Sequence, residues 1–163
     1  MKVLLWLLVM DLGIAFGAGL YEHRIGFSRW LTVATDGSVH WNAEAVRLDN
    51  PGLRFWAYIT TGPLTILTIA NLLIAWRFLT GWLRAWWLAA SAVSLVERAI
   101  TFAYFIPTMI GLMNAPDTAE SVATAARWAE LNYVRHALAL AAWILALQAF
   151  SLASRSFASR PAS

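Results

Sequence analysis

The sequence contains no cysteine, which excludes disulfides, thiolate metal sites and thiol redox chemistry. Charge is scarce: Asp, Glu, Lys and Arg make up 13% of the 163 residues, against roughly 25% in an ordinary soluble chain. The net charge of +3 comes without any basic run, so the electrostatic footprint of a nucleic-acid binder is missing. No glycine-rich phosphate loop, nucleophile elbow or zinc-binding helix signature occurs. The three histidines, His23, His40 and His136, are scattered, and no metal site is expected from them.

Apolar residues fill the space that charge vacates. The chain is 60% hydrophobic and holds ten Trp, and its mean hydropathy is +0.61. That is the composition of an integral membrane protein.

A helix needs about 20 apolar residues to cross about 30 Å of hydrocarbon. Four segments meet this, at about 3–20, 55–76, 82–110 and 128–153. The first carries Asp11 within its apolar run and lacks a good small-x-small site, so it reads as a retained helix rather than a cleaved leader. The expected fold is an all-α integral membrane bundle of four transmembrane helices, one domain over 1–153. Residues 21–54 lie outside the bilayer, and 154–163 form a disordered tail. In 21–54, "TDGS" and "DNPG" are turn signals, and alternation in "SRWLTVA" and "SVHWNAEAVRL" predicts a short hairpin. Asp117 with Glu120 marks a helix start, read as a short interfacial helix ahead of span four. Four spans put both termini on one side. Basic residues split evenly between the sides, and the greater weight of short loops places the termini in the cytoplasm, at the plasma membrane.

The stretch "LVERAITFAYFIP", Leu95–Pro107, puts Glu97 and Arg98 inside a span. An ionised group near mid-membrane costs about 2.5–3.5 kcal/mol on insertion scales. Neighbours on a helix do not face each other, so Arg98 is expected to pair across the bundle. Glu22 is the first candidate, with Glu130 and Glu97 behind it. Helical rise places Arg98, Arg135, Thr61, Thr65 and Glu22 at similar depth in the outer half. Stripes agree: Thr61, Thr65 and Thr68 on span two; Arg98, Thr101 and Phe105 on span three, with Tyr104 at the margin; Trp128, Asn132 and Arg135 on span four. Two arginines need more acid than Glu22 supplies, which points to an anionic ligand or an anion formed in a reaction. The bland reading, polar glue between helices, fits Thr61, Thr65, Thr68 and Asn71 best.

"GAGLYEHRIGFSRW" (Gly17–Trp30), "ERAITFAYFIP" (Glu97–Pro107) and "RWAELNYVRHALALAAWILAL" (Arg127–Leu147) resemble the membrane family that includes the anthrone oxygenases. The resemblance covers nearly the whole chain. It implies a four-helix membrane protein and, in the fungal members, O₂-dependent oxidation of an anthrone to an anthraquinone without a tightly bound cofactor. The matching positions are Tyr21, Glu22, Arg98, Tyr104, Pro107, Trp128, Asn132 and Arg135. Some relatives have His where this chain has Asn132, and asparagine is no general base. The expected site therefore has Glu22, Arg98, Arg135 and His136 as catalytic groups. Arginines would face a developing oxyanion, and Glu22 or His136 would take a proton. Tyr21, Thr61, Thr65, Tyr104, Trp128 and Asn132 would contact the ligand. No cofactor is evident, and O₂ is the expected co-substrate. Expected partners are membrane lipid and a small aromatic or quinone ligand. The competing reading is a non-catalytic accessory or lipid- or quinone-binding protein. Transport is disfavoured, because four spans carry no internal repeat.

Overall fold

The computed structural model describes residues 1–158. Its elements run α1 (Lys2–Trp30), β1 (Leu31–Val33), β2 (Val39–Trp41), α2 (Ala43–Asp49), α3 (Gly52–Phe78), α4 (Gly81–Met113) and α5 (Ala119–Ala158). Four of these, α1, α3, α4 and α5, are long and apolar enough to cross a membrane. The fold is an all-α membrane bundle, and the protein is multi-pass.

Spans are longer than the apolar runs because polar residues continue the helices. Tyr21–Trp30 extends α1 rather than opening a loop, and Gly52–Arg54 already belong to α3. The segment outside the long helices therefore shrinks from 21–54 to 31–51. At the other end α5 runs to Ala158, past the expected break at Ser154, and 159–163 lie outside the described residues. No separate interfacial helix precedes span four. Thr118 caps α5, with the Ser121 amide donating to its Oγ1 at 3.2 Å. Asp117, expected at the helix start, is used elsewhere. At 40 residues, α5 is about 60 Å long, about twice the hydrocarbon thickness. Its first turns therefore stand clear as a wall.

The hairpin packs on that wall. β1 and β2 pair antiparallel with Thr32 opposite His40, and Gly37 takes a positive φ of 83° in the turn. The second strand is shorter than its alternation implied. Asn42 accepts the Ala45 amide at 2.9 Å and starts α2, so Ala43–Asp49 is helix. Together these elements form a cap. Trp30, Trp41 and Val46 are buried against Phe105, Leu112 and Trp128 at one end of the bundle. The Trp41 indole donates to the Leu112 carbonyl at 2.9 Å, and Arg47 donates to that of Met113 at 2.5 Å.

The half of the bundle away from the cap is held by small residues and a few polar bonds. Ala142, Ala146, Ala149 and Ala153 form the buried ridge of α5, which permits close backbone approach in lipid. Asn71 donates to the Leu4 carbonyl of α1 at 3.1 Å and accepts the Trp87 indole of α4 at 2.9 Å. Thr68 and Ser94 bond at 2.8 Å. Asn71→Leu removes two interhelical bonds at once, and thermal unfolding in detergent should show a loss of about 1–2 kcal/mol.

Three widened turns interrupt the α-helical ladder: Glu22–Gly26 in α1, Gly52–Leu64 in α3 and Thr101–Phe105 in α4. Two lie at prolines: Pro63 sits inside the second and Pro107 follows the third. Proline donates no amide and crowds the preceding turn, which favours a local change of helical pitch. All three occur in the half of the bundle beneath the cap, around the polar residues.

Candidate functional site

The widened turns decide which side chains meet. Their i→i+5 bonds put more residues in each turn, so faces shift relative to an α-helical count. In α3 the inward line is Trp56, Thr60, Leu64 and Thr68, spaced by four. Thr61 and Thr65, expected inward, are only half-buried and line neither cavity. Thr65 bonds back to the Thr60 carbonyl at 3.4 Å. Thr60 replaces them.

Arg98 does not cross the bundle to Glu22. Its Nε donates to Glu97 Oε2 at 2.6 Å, and its Nη2 forms an ion pair with the same oxygen. Nη1 donates to the Thr60 carbonyl at 3.2 Å, and Thr101 donates to Glu97 Oε1 at 3.0 Å. Although neighbouring Cα–Cβ bonds diverge on a helix, the long arginine side chain curls back along its own helix to reach Glu97. Glu97 and Arg98 are 3% and 4% exposed, so each needs a partner within reach. Glu22 instead accepts the Trp56 indole at 2.8 Å. Glu97, ranked behind Glu22 from sequence, thus supplies the second carboxylate. Two arginines face two acids, and the shortage of acid that pointed to an anionic ligand is gone.

Arg135 is the exception. It forms no hydrogen bond among the described residues. Its guanidinium lies 4.8 Å from the centre of the Phe105 ring and 5.8 Å from that of Trp56. The carboxylates acting on it through space are Glu97 and Glu22.

On the next residue, His136 is 6% exposed and neither ring nitrogen has a hydrogen-bond partner. One turn earlier, Asn132 is 2% exposed with an unpartnered Oδ1. The His23 ring lies 5.9 Å from that of His136 and 4.5 Å from Tyr133, with its Nδ1 unpartnered. Six buried side-chain atoms lack a partner among the described residues, and four belong to these three residues. Such atoms are rare in native interiors and cluster where function requires them.

Arg135 and His136 stand between two small cavities. One is bounded by Gly19, Glu22, His23, Phe27, Trp128 and Asn132. The other, of about 20 Å³, is bounded by Trp56, Thr60, Leu64, Glu97 and Arg98, with Ala15 and Ala139. The Trp128 ring stacks on Phe27 at 5.9 Å and donates to the Phe105 carbonyl at 3.1 Å. Two expected contacts stay outside: Tyr21 is 69% exposed, and Tyr104 packs edge-on to Phe105 at 5.2 Å. No three His, Asp or Glu side chains gather to hold a metal among the described residues. The Arg135 guanidinium beside both imidazoles would also repel a dication.

Gly19 has a specific role. A Cβ there would lie 2.6 Å from His136 Nε2, so only glycine lets the imidazole seat against α1. Gly19→Ala should cost about 1–3 kcal/mol by overpacking. Gly19→Ala combined with His136→Ala should restore most of it, read as a double-mutant cycle in thermal unfolding. Additive losses would show that the contact is not tight. Trp56 and Thr60 were not expected in the site from sequence, and His23 was weighed only as a metal ligand. Pro63 and Pro107 were the available signal that the faces shift.

Compared with known protein families, characterised proteins and solved structures, the chain matches none.

Proposed function

We propose that the outer-half site binds a small, flat, apolar carbonyl compound of the anthrone or quinone type, drawn from the bilayer, and oxidises it with O₂. The observation that carries this reading is the pairing of an arginine and a histidine whose side chains have no hydrogen-bond partner among the described residues, adjacent in the bundle interior. A neutral substrate suits a site whose charges already balance. Arg135 is placed to meet negative charge as it develops on oxygen, and His136 to take a proton.

For an anthrone the chemistry closes without further parts. His136 accepts a proton from the ring CH₂ carbon, and that C–H electron pair moves onto the carbonyl oxygen beside Arg135. The enolate carbon passes its electron pair to O₂, forming a C–O bond, and the peroxide takes the proton back from His136. Loss of the second hydrogen from that carbon as a proton, with cleavage of the O–O bond, leaves a ketone and one water. The anthrone loses two hydrogens and gains one oxygen atom; O₂ supplies both oxygen atoms of ketone and water. A cavity of about 20 Å³ has room for a water, so a tricyclic substrate requires the helices to part, and the widened turns are the natural place to yield.

The test is oxygen uptake by purified protein in lipid nanodiscs with an anthrone, monitored with anthraquinone absorbance. Turnover that falls about 10²-fold or more in His136→Gln supports the reading; no turnover above empty nanodiscs overturns it. One observation favours a second reading, a non-catalytic lipid- or quinone-binding protein: Glu97, Arg98, Thr60 and Thr101 satisfy one another, as helix glue does. Copurified quinone with no turnover would select it. In either reading the chain sits in the plasma membrane with cytoplasmic termini, which reporter fusions at Gly81 and at the C-terminus check by giving the same cytoplasmic sidedness.

A further inference from the structure

The cap carries a chain of polar contacts that plays no part in the pocket. Asp36 Oδ1 accepts the Ser38 hydroxyl at 2.6 Å and the Ser38 amide at 2.9 Å. Ser38 Oγ lies 2.8 Å from His40 Nε2, and His40 Nδ1 lies 2.7 Å from Asp117 Oδ2. Asp117 Oδ1 accepts the Trp41 amide at 2.8 Å. Asp117 belongs to the loop ahead of α5, so the chain ties the hairpin to the bundle.

Serine, histidine and aspartate in this order resemble a nucleophile with its base. Counting protons excludes that. A carboxylate only accepts and a hydroxyl has one hydrogen, so the Ser38 proton points to Asp36 and is not shared with His40. Ser38 Oγ then accepts from His40 Nε2–H, and Asp117 accepts from Nδ1–H. Every contact in the chain is satisfied only when the imidazole carries both protons. The Trp41 amide and then His40 hold the Asp117 carboxyl below the usual range, and the Ser38 hydroxyl and amide do the same for Asp36. Both acids therefore stay ionised across the range in which imidazoles titrate.

We propose that His40 is a proton-operated latch: as imidazolium it clasps Asp117 and, through Ser38, Asp36, holding the cap on the outer end of the bundle, and deprotonation loosens it. The groups facing the ring are accounted for on each side. Asp117 comes from the loop and Asp36 from the turn, and β1 places the uncharged Thr32 opposite. Glu120, on the first turn of α5, is exposed to solvent. The direction follows from the donor count. The clasp is complete while the ring carries both protons and loses a donor when it gives one up, so it weakens as pH rises. A histidine in this position makes the cover of an intramembrane site responsive to the acidity of the compartment it faces.

The Trp41 amide reports the clasp directly, because its acceptor is Asp117. Amide exchange of the full-length protein in nanodiscs, normalised to intrinsic rates, is read at pH 5.5 and 8. Protection at Trp41 should fall roughly two- to fivefold at the higher pH, the size of a half-exposed charged contact. In His40→Gln it should be independent of pH and at the lower level. The Ala45 amide, held by Asn42 within the cap, serves as the folding control. Asp36→Ala, which removes the acceptor of the Ser38 hydroxyl and so frees its proton to serve a neutral ring, should shrink the pH effect while the Ala45 control stays unchanged. A flat wild-type profile, or an unchanged pH effect in His40→Gln, overturns the latch. The readout is cap protection, so it stands or falls independently of any turnover.

Discussion

Glu97→Gln should destabilise the bundle by about 3–5 kcal/mol, the usual cost of leaving one member of a buried ion pair alone. Glu97 and Arg98 are almost fully buried, and among the described residues no other carboxylate bonds the Arg98 guanidinium. Its remaining bond, Nη1 to the Thr60 carbonyl, leaves a full charge in an apolar interior. Glu97→Gln with Arg98→Met removes both charges and should recover most of the loss, since buried pairs replaced by apolar groups are often neutral or stabilising. Glu22→Gln is the control. Glu22 is half-buried and holds one bond, from the Trp56 indole, so about 1 kcal/mol is expected. Unfolding midpoints in one detergent rank the three variants. Equal losses from Glu22→Gln and Glu97→Gln would mean that Arg98 draws on both acids.

That partner assignment marks where sequence reasoning stops. Apolar length alone located four spans, since every backbone group in hydrocarbon must bond within its own helix. The hairpin was legible because "TDGS" needs a left-handed glycine, and Gly37 provides it. The stripe Trp128, Asn132, Arg135 held because α5 is regular throughout. Prediction slipped where the helix is not ideal. Counting 3.6 residues per turn through Gly52–Leu64 turned Thr61 inward in place of Thr60, and a widened turn has no simple sequence pattern. The Glu97–Arg98 pair was misread for a different reason: the rule that neighbours diverge concerns backbone direction, whereas a long arginine has the reach to fold back. Cap packing, which buries Trp41 beside the exposed His40, depends on contacts some 70 residues apart, from Trp41 to Leu112. Local pattern carries no such information.

Arg135 separates the functional reading from polar glue more sharply than any other residue. Its side chain forms no hydrogen bond among the described residues and rests on the faces of Phe105 and Trp56, so it contributes cation–π contact of about 0.5–2 kcal/mol against the cost of a charge in the interior. Arg135→Met keeps length and contact with both rings while removing the charge. The unfolding midpoint should stay equal or rise, because Glu22 keeps its Trp56 donor and Glu97 keeps Arg98. Turnover of an anthrone should nevertheless fall about 10²–10³-fold, the usual loss when a donor aimed at a developing oxyanion is removed, with the drop in kcat rather than in KM. Arg135→Lys retains the charge but not the planar stacking on Phe105, and should recover only part of the rate. A variant that is stable and inactive identifies a residue kept for chemistry at the expense of stability. If Arg135→Met instead unfolds several degrees earlier and Arg135→Lys restores it, the guanidinium is serving Glu22 and Glu97 as a structural counter-ion, and the oxyanion role is refuted.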